Sequence, residues 1–372
     1  MADIPFYDCT PSANQSSLLM QAASRIIQSG NYVGGNEVES FEAELSEYLG
    51  GGFCVGVGNG LDALTLSLLA LDVGHGDEVI VPTYSFMATW IAVSRTGAKL
   101  VGVDVDPSTG LVDLDQVRRA VTRRTKVFLP VHLYGAAVDI GEIRAELSGK
   151  GIAILEDTAQ ALGASSKDGM AGTLGTLGAF SFYPTKNLGA LGDAGAIFTR
   201  DEGLYARLKS LRSYGFGSSR YEFREIGLNS RLDPIQAAFL RVKLPGLEAE
   251  GEHRRWQAGE YLKAIQGTQI KAVGGLSGRS VYHHFALLSD DRAALRRRLA
   301  EAGVMTDIHY PYTFEAFLKM TSNSRIRVNE RNLKGARELA RKVTTLPMGS
   351  WLNKEDSRTI SRNLAVALRA KI

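Results

Sequence analysis

The chain has 372 residues, 44% of them hydrophobic and 22% charged. That is ordinary globular usage, which excludes a disordered or fibrous chain, and at about 100–200 residues per domain the length suggests two domains. Forty-three Lys and Arg against 40 Asp and Glu leave a net charge of +3, too small to point to nucleic acid or an anionic membrane surface.

The chain holds 40 glycines and 10 prolines, so tight turns and close backbone approaches are expected. Cys9 and Cys54 are too few for a disulfide framework or a metal cluster. They fit a reduced, cytoplasmic protein. The opening MADIPFYDCTP lacks the basic and apolar regions of a signal peptide. No stretch approaches the roughly 20 apolar residues of a membrane span. A soluble intracellular protein is expected.

In chain order, FCVGVG (53–58) reads as a strand and LDALTLSLLALDV after it as a helix. DEVIVP (77–82) is a β-branched run ended by proline, and FMATWIAVSRTG has helical spacing with a glycine stop. AKLVGVDVD (98–106) is the next predicted strand, and LDQVRRAV is predicted helical. TKVFLPVHL (125–133) and GIAILED (151–157) are further strands, with helical IGEIRAELSGK between them. This rhythm predicts an α/β layered domain with a mostly parallel sheet. After residue 160, GAFSFYP (178–184) and AGAIFT (194–199) read as strands flanking a glycine-rich loop. A long helical stretch, 233–265, is interrupted near Pro245-Gly246. The boundary is placed there, giving a large domain over 1–247 and a smaller α/β domain over 248–372.

Four segments carry candidate chemistry. In VGVGNGLDAL (55–64) a strand runs through glycines into a helix. Such a junction aims backbone N–H groups at an anion, and equally well is a tight turn with an acidic first helical turn. LEDTAQ (155–160) ends an apolar strand in Glu156-Asp157. A carboxylate there faces the ligand crevice of a parallel sheet, or caps the next helix. In GAFSFYPTKNLGALGDAGAIF (178–198), Lys186 stands among aromatic residues and glycines. It is a surface loop lysine or an amine drawn into a site that lowers its pKa. IGLNSRLDPIQAAFLRVKL (226–244) carries a polar cluster ahead of Asp233-Pro234, which by itself is a helix start.

Together these segments resemble the sugar-nucleotide aminotransferases, pyridoxal-phosphate enzymes with the aspartate-aminotransferase fold. The resemblance covers about residues 4–250 and continues more loosely beyond. It rests on SGNYVGGNEVESFEAELSEYLG, NGLDALTLSLLALDVGHGDEVIVPTYSFMATWIAV, GAKLVGVDVDP, PVHLYGAAVDI, EDTAQALGA, FSFYPTKNLGALGDAGAI and GLNSRLDPIQAAFLRVKL. It implies fold type I, with a mixed, mostly parallel central sheet between helices and a smaller C-terminal α/β domain. It further implies that Lys186 joins pyridoxal 5'-phosphate covalently and shuttles protons, that Asp157 pairs with the ring nitrogen, and that Gln160 lies near the ring hydroxyl. Phe86 falls where an aromatic ring stacks on the cofactor. Ser181 and the N–H groups of Gly60 and Leu61 would hold the phosphate, with Asn229 reaching in from the neighbouring subunit of a homodimer. Tyr183, His309 and Tyr310 match sugar contacts, and Tyr32, Tyr214 and Tyr221 are weaker candidates. No metal is implied.

NGLDAL followed by MATWIAV looks like the branch acting at C3 of dTDP-linked 3-keto-6-deoxyhexoses. The expected reaction moves an amino group from L-glutamate, leaving 2-oxoglutarate and a dTDP-3-amino-3,6-dideoxyhexose for a surface glycan or an antibiotic. In IHYPYTFEAFLKM (308–320) only His309, Tyr310 and Pro311 follow the family loop, so the hexose configuration stays open. Amination at C4, sugar dehydration on the same cofactor, and a regulatory protein on an enzyme scaffold are the alternatives. Dehydratases of this family replace the lysine with histidine, so Lys186 favours transamination.

Overall fold

The computed structural model describes residues 4–217, 219, 221–274, 279–321, 326–328 and 333–369. In chain order its strands are β1 (Phe53–Val57), β2 (Glu78–Pro82), β3 (Lys99–Val103), β4 (Thr125–Phe128), β5 (Ala153–Asp157), β6 (Ser165–Ser166), β7 (Gly169–Met170), β8 (Leu177–Ser181), β9 (Gly195–Thr199), β10 (Lys271–Val273), β11 (Phe285–Leu288), β12 (Ile326–Val328) and β13 (Val343–Leu346). Eight of them form one sheet in the order β1-β9-β8-β5-β4-β2-β3-β12. Only β9 runs against the rest. The seven strands expected before residue 200 are all in this mixed sheet. Helices cover both faces, as a sheet of buried parallel strands requires.

One strand stops earlier than its apolar run suggests, and one helical stretch is broken. β4 ends at Phe128, two residues before Pro130, which has no N–H for the ladder. The chain then follows β5 through the Val131–Asp157 bridge and turns at Leu133–Gly135. The helical stretch 233–265 is divided into Pro234–Lys243 and Leu247–Ile265 by a 3-10 turn at Leu244–Gly246, where proline and glycine stand.

The helix Gly60–Ala70 shows how rigidly the site edge is built. It is buried over most of its surface, against β8, β9 and the helix Ala88–Thr96. Leu64, Leu66 and Leu68 are 2%, 0% and 0% exposed, and burying each contributes roughly 1.5–3 kcal/mol. Asn59 starts the helix by accepting the Asp62 N–H at 2.8 Å. Helices Ala13–Ser29 and Asn36–Tyr48, ahead of the first strand, pack on Pro234–Lys243.

A second, antiparallel sheet in the order β10-β11-β13 packs with Leu247–Ile265 and Lys354–Arg369 around its own apolar cluster. The chain after residue 248 contributes to both sheets, because β12 lies parallel to β3. The N-terminal segment ties to the same region: Ile4 bridges Val304. Among the described residues no helix is long and apolar enough to cross a membrane.

Candidate active site

The site grows from the C-terminal end of β5, where strand alternation splits two adjacent carboxylates. Glu156 is buried and accepts the N–H groups of Gly172, Leu174 and Gly175 at 2.7, 2.8 and 2.6 Å, with His132 Nε2 at 2.8 Å. His132 Nδ1 accepts the Val138 N–H at 3.0 Å, so Nε2 carries the hydrogen given to Glu156. Asp157 faces the other way. It accepts the Thr89 hydroxyl at 2.8 Å and the Ala159 N–H at 3.2 Å. Burial pushes its carboxyl above the usual carboxylate range, against the pull of Thr89, Ala159, Lys186 and His132. Asp157 is therefore a buried anion that a cation at the sheet edge would stabilise.

Lys186 lies in the loop between β8 and β9, in a turn closed by its own N–H on the Tyr183 carbonyl at 2.8 Å. Its side chain is half-buried, keeping surface toward a cavity while protein crowds the amine. Burial lowers the amine from 10.5 to about 8, with Asp157 pulling the other way. A cavity of about 560 Å³ opens beside it, lined by Tyr7–Thr10 of the N-terminal segment, the lysine loop, Glu250 and Arg254. Asp157 does not line this cavity.

At the adjacent strand ends the chain forms an anion cradle. The helix Gly60–Ala70 directs its first N–H groups, which have no intrahelical acceptor, outward. Ser181, the last residue of β8, lies directly against Gly60: a Cβ on Gly60 would stand 2.7 Å from Ser181 Cβ. Gly195 allows β9 to approach, since a Cβ there would meet the Asn59 carbonyl carbon at 2.6 Å. Ser230 accepts the Gly58 N–H at 3.0 Å and donates to Asp62 at 2.8 Å. Asn229, its neighbour, is exposed.

The C-terminal region docks on this edge through its backbone. The Tyr84 hydroxyl meets the Tyr310 carbonyl at 3.0 Å and N–H at 2.5 Å, and Tyr134 donates to the His309 carbonyl. Gln160 accepts the Tyr134 N–H at 2.7 Å and donates to the Tyr310 hydroxyl at 2.8 Å. Tyr310 is buried, which raises its hydroxyl's pKa well above the ordinary value. Its ring lies 5.5 Å from Phe86, which is 50% exposed. His309 stacks on His284 at 3.9 Å and holds Thr345 Oγ1 at 2.9 Å. Burial lowers its imidazole to about 4, so it is neutral.

The structure thus gathers Lys186, Asp157, Gln160, Phe86, His309 and Tyr310 at one edge, with Gly60, Leu61 and Ser181 beside them. Tyr183 belongs to the lysine turn and is exposed. Tyr32 lies elsewhere: its hydroxyl bonds the Ile27 carbonyl at the end of Ala13–Ser29. Tyr214 and Tyr221 stand on an excursion between Glu202–Leu211 and Pro234–Lys243, exposed together with Phe223 and Ile226. Sequence reasoning missed Thr89, Tyr84, Tyr134 and the His283-His284 pair. Thr89 follows Ala88 on an apolar helix, and nothing local marks it as the donor to a carboxylate 68 residues away.

This donor set fits pyridoxal phosphate. It offers a buried carboxylate for a protonated ring nitrogen, an amine of lowered pKa for an aldehyde, helix N–H groups with a hydroxyl for a phosphate, and an exposed aromatic face for a ring. Fold and site together define a pyridoxal-phosphate-dependent aminotransferase of fold type I.

Comparison with known proteins agrees. Residues 14–365 match the DegT/DnrJ/EryC1/StrS aminotransferase family, and the chain belongs to that family. The erythromycin biosynthesis sensory transduction protein EryC1 of Saccharopolyspora erythraea is 42% identical over 95% of this chain and 96% of its own. The dTDP-3-amino-3,6-dideoxy-alpha-D-galactopyranose transaminase of Aneurinibacillus thermoaerophilus is 42% identical over 83% and 85%. Other relatives are named as aminotransferases of UDP-linked sugars. The crystal structure of S. venezuelae DesV superposes with a TM-score of 0.93 at 37% identity, covering 100% of both chains. That of NtdA from Bacillus subtilis, with bound cofactor PMP, superposes at 0.90 with 28% identity, covering 99% of this chain and 86% of its own.

Proposed function

We propose that the protein transfers the amino group of L-glutamate to C3 of a dTDP-3-keto-6-deoxyhexose, giving a dTDP-3-amino-3,6-dideoxyhexose and 2-oxoglutarate. The observation that carries the chemistry is the Lys186 amine of lowered pKa, set beside a cavity and electrostatically coupled to the buried Asp157. The position and nucleotide rest on relatives named for 3-amino dTDP-sugars and on the NGLDAL and MATWIAV segments.

When bound, pyridoxal phosphate supplies the carbonyl that receives the amino group and the ring that spreads the charge of the deprotonated carbon. Lys186 would hold the resting cofactor through its amine, which, once free, would serve as the general base and acid for the substrate proton. Asp157 keeps the ring nitrogen protonated, and Thr89 holds Asp157 in place. Gly60, Leu61 and Ser181 hold the phosphate, together with Asn229 of the partner subunit. Gln160 orients the ring hydroxyl with its remaining N–H, and Phe86 covers the ring. His309 and Tyr183 border the sugar, and Tyr310 shapes that wall through Gln160. The exposed Tyr32, Tyr214 and Tyr221 complete the sugar site only in a homodimer. Such substrates place the protein in the cytoplasm.

UDP-sugar relatives favour a second reading, amination of a UDP-linked 3-keto sugar. A panel of dTDP- and UDP-linked 3-keto and 4-keto sugars with glutamate separates the two. An amine at C3 of the dTDP-hexose is the expected product. Turnover confined to UDP-sugars, or an amine at C4, overturns the assignment.

A further inference from the structure

Two consecutive residues of the C-terminal region connect to the chain neighbours of Lys186, His283 directly to Asn187 and His284 to Thr185 by way of Tyr7. Asn187 donates from Nδ2 to the Val281 carbonyl at 3.0 Å, so its Oδ1 faces His283 Nδ1 at 3.1 Å and accepts the hydrogen there. On the other flank, the Tyr7 hydroxyl is hydrogen-bonded to the Thr185 side chain and lies 3.4 Å from His284 Nδ1. The two imidazoles are buried, with ring centroids 4.2 Å apart. Burial and the nearby cations keep both neutral, so each has one N–H and one lone pair for a directed bond. Arg254 steadies the segment from behind through the carbonyls of Tyr282 and His283 at 3.3 and 3.4 Å, with its charge balanced by Glu250 at 2.7 Å.

We propose that His283 and His284 form a two-point clamp that sets the position of Lys186 through Asn187 and Thr185. They are positioning residues for transamination, and the clamp rests on the assignment of Lys186 as the cofactor lysine. The physical need is plain. Lysine carries its amine on a flexible four-carbon stem, and a misplacement of about 1 Å at a reacting group costs about 100-fold in rate. A loop pinned on both sides of the lysine removes backbone freedom that the stem would otherwise amplify.

The test uses the cofactor-loaded enzyme and variants Asn187→Ala, His283→Leu, His283→Asn and Tyr7→Phe. Asn187→Ala and His283→Leu are expected to lower kcat about 100-fold, leave KM for the nucleotide sugar largely unchanged, and alter the visible circular dichroism of the bound cofactor. His283→Asn, which keeps a donor near the position of Nδ1, restores both readouts. Tyr7→Phe changes the dichroism in the same sense. Should His283→Leu fail to fold, Asn187→Ala decides, since its side chain is only half-buried. Wild-type kcat and dichroism in Asn187→Ala, or no rescue by His283→Asn, overturn the clamp. An unchanged spectrum in Tyr7→Phe overturns its two-point form. If borohydride traps no cofactor on Lys186 in the wild type, the underlying assignment fails and the clamp with it. Trapping on Lys186 beside an unaltered Asn187→Ala spectrum overturns the clamp alone.

Discussion

Glu156 and Asp157 are adjacent on one strand, and their carboxylates serve opposite sides of the sheet. Glu156 binds three backbone N–H groups and His132. Asp157 has one hydroxyl, one N–H and an unbalanced charge at the site edge. The first is an internal brace for the loop 172–175, and the second is a receiver for a cation.

Two substitutions separate these roles. Glu156→Ala leaves four donors without their acceptor and is expected to destabilise the protein by about 1–3 kcal/mol for each buried donor left unsatisfied, read as a lower melting temperature. Asp157→Ala removes a buried charge that the protein alone does not fully compensate, so melting of the cofactor-free protein changes little. Its transamination rate falls about 100-fold or more, the scale of losing one preorganised electrostatic group. Near-normal turnover in Asp157→Ala contradicts its place beside the ring nitrogen.

The lowered pKa of Lys186 predicts a pH dependence. Only the unprotonated amine attacks an aldehyde, so capture of pyridoxal phosphate by the cofactor-free protein should accelerate with a midpoint near pH 8. The same shift has a stability consequence. Between about 8 and 10.5 the unfolded chain keeps the proton that the folded state has released, so this group's contribution to stability rises with pH across that window. A capture midpoint close to 10.5 means that the amine is not desolvated.

Gly60 is required by space, because a Cβ would press on Ser181 at 2.7 Å. Gly60→Ala must displace the hydroxyl or the first helical turn, the two halves of the cradle. Weaker retention of pyridoxal phosphate on dialysis is expected, on the order of 10-fold or more for a loss of about 1.4 kcal/mol. Retention equal to wild type removes Gly60 and Ser181 from the phosphate site.

Shared sites are tested by mixing defects. Asn229→Ala is expected to loosen the cofactor, and Lys186→Ala to abolish transamination. Heterodimers of the two variants contain one site with neither substitution if Asn229 acts across the interface, so activity should return. Inactive heterodimers, verified by differential tagging, assign Asn229 to its own subunit.

The order and type of the central-sheet strands and of the helices between them, from residue 53 to 200, were legible in the sequence, because buried parallel strands and their covering helices leave apolar runs of distinct period. Lys186, Asp157 and Gly60 were visible for the same local reason: each stands where an apolar strand meets a glycine-rich or polar loop. The helices Ala13–Ser29 and Asn36–Tyr48 went unread, since no strand rhythm frames them. Proximity was not legible. Thr89 supports Asp157 from 68 residues away, and Tyr84 grips the backbone of Tyr310 from 226 residues away. His283 meets Asn187 across 96 residues. Local residue pattern records how a segment buries its own side chains, so it determined the strands, the helices and the reactive candidates. Hydrogen bonds between distant segments form only once packing has brought them together, so the tertiary structure alone decided which groups hold the lysine and the carboxylate in place.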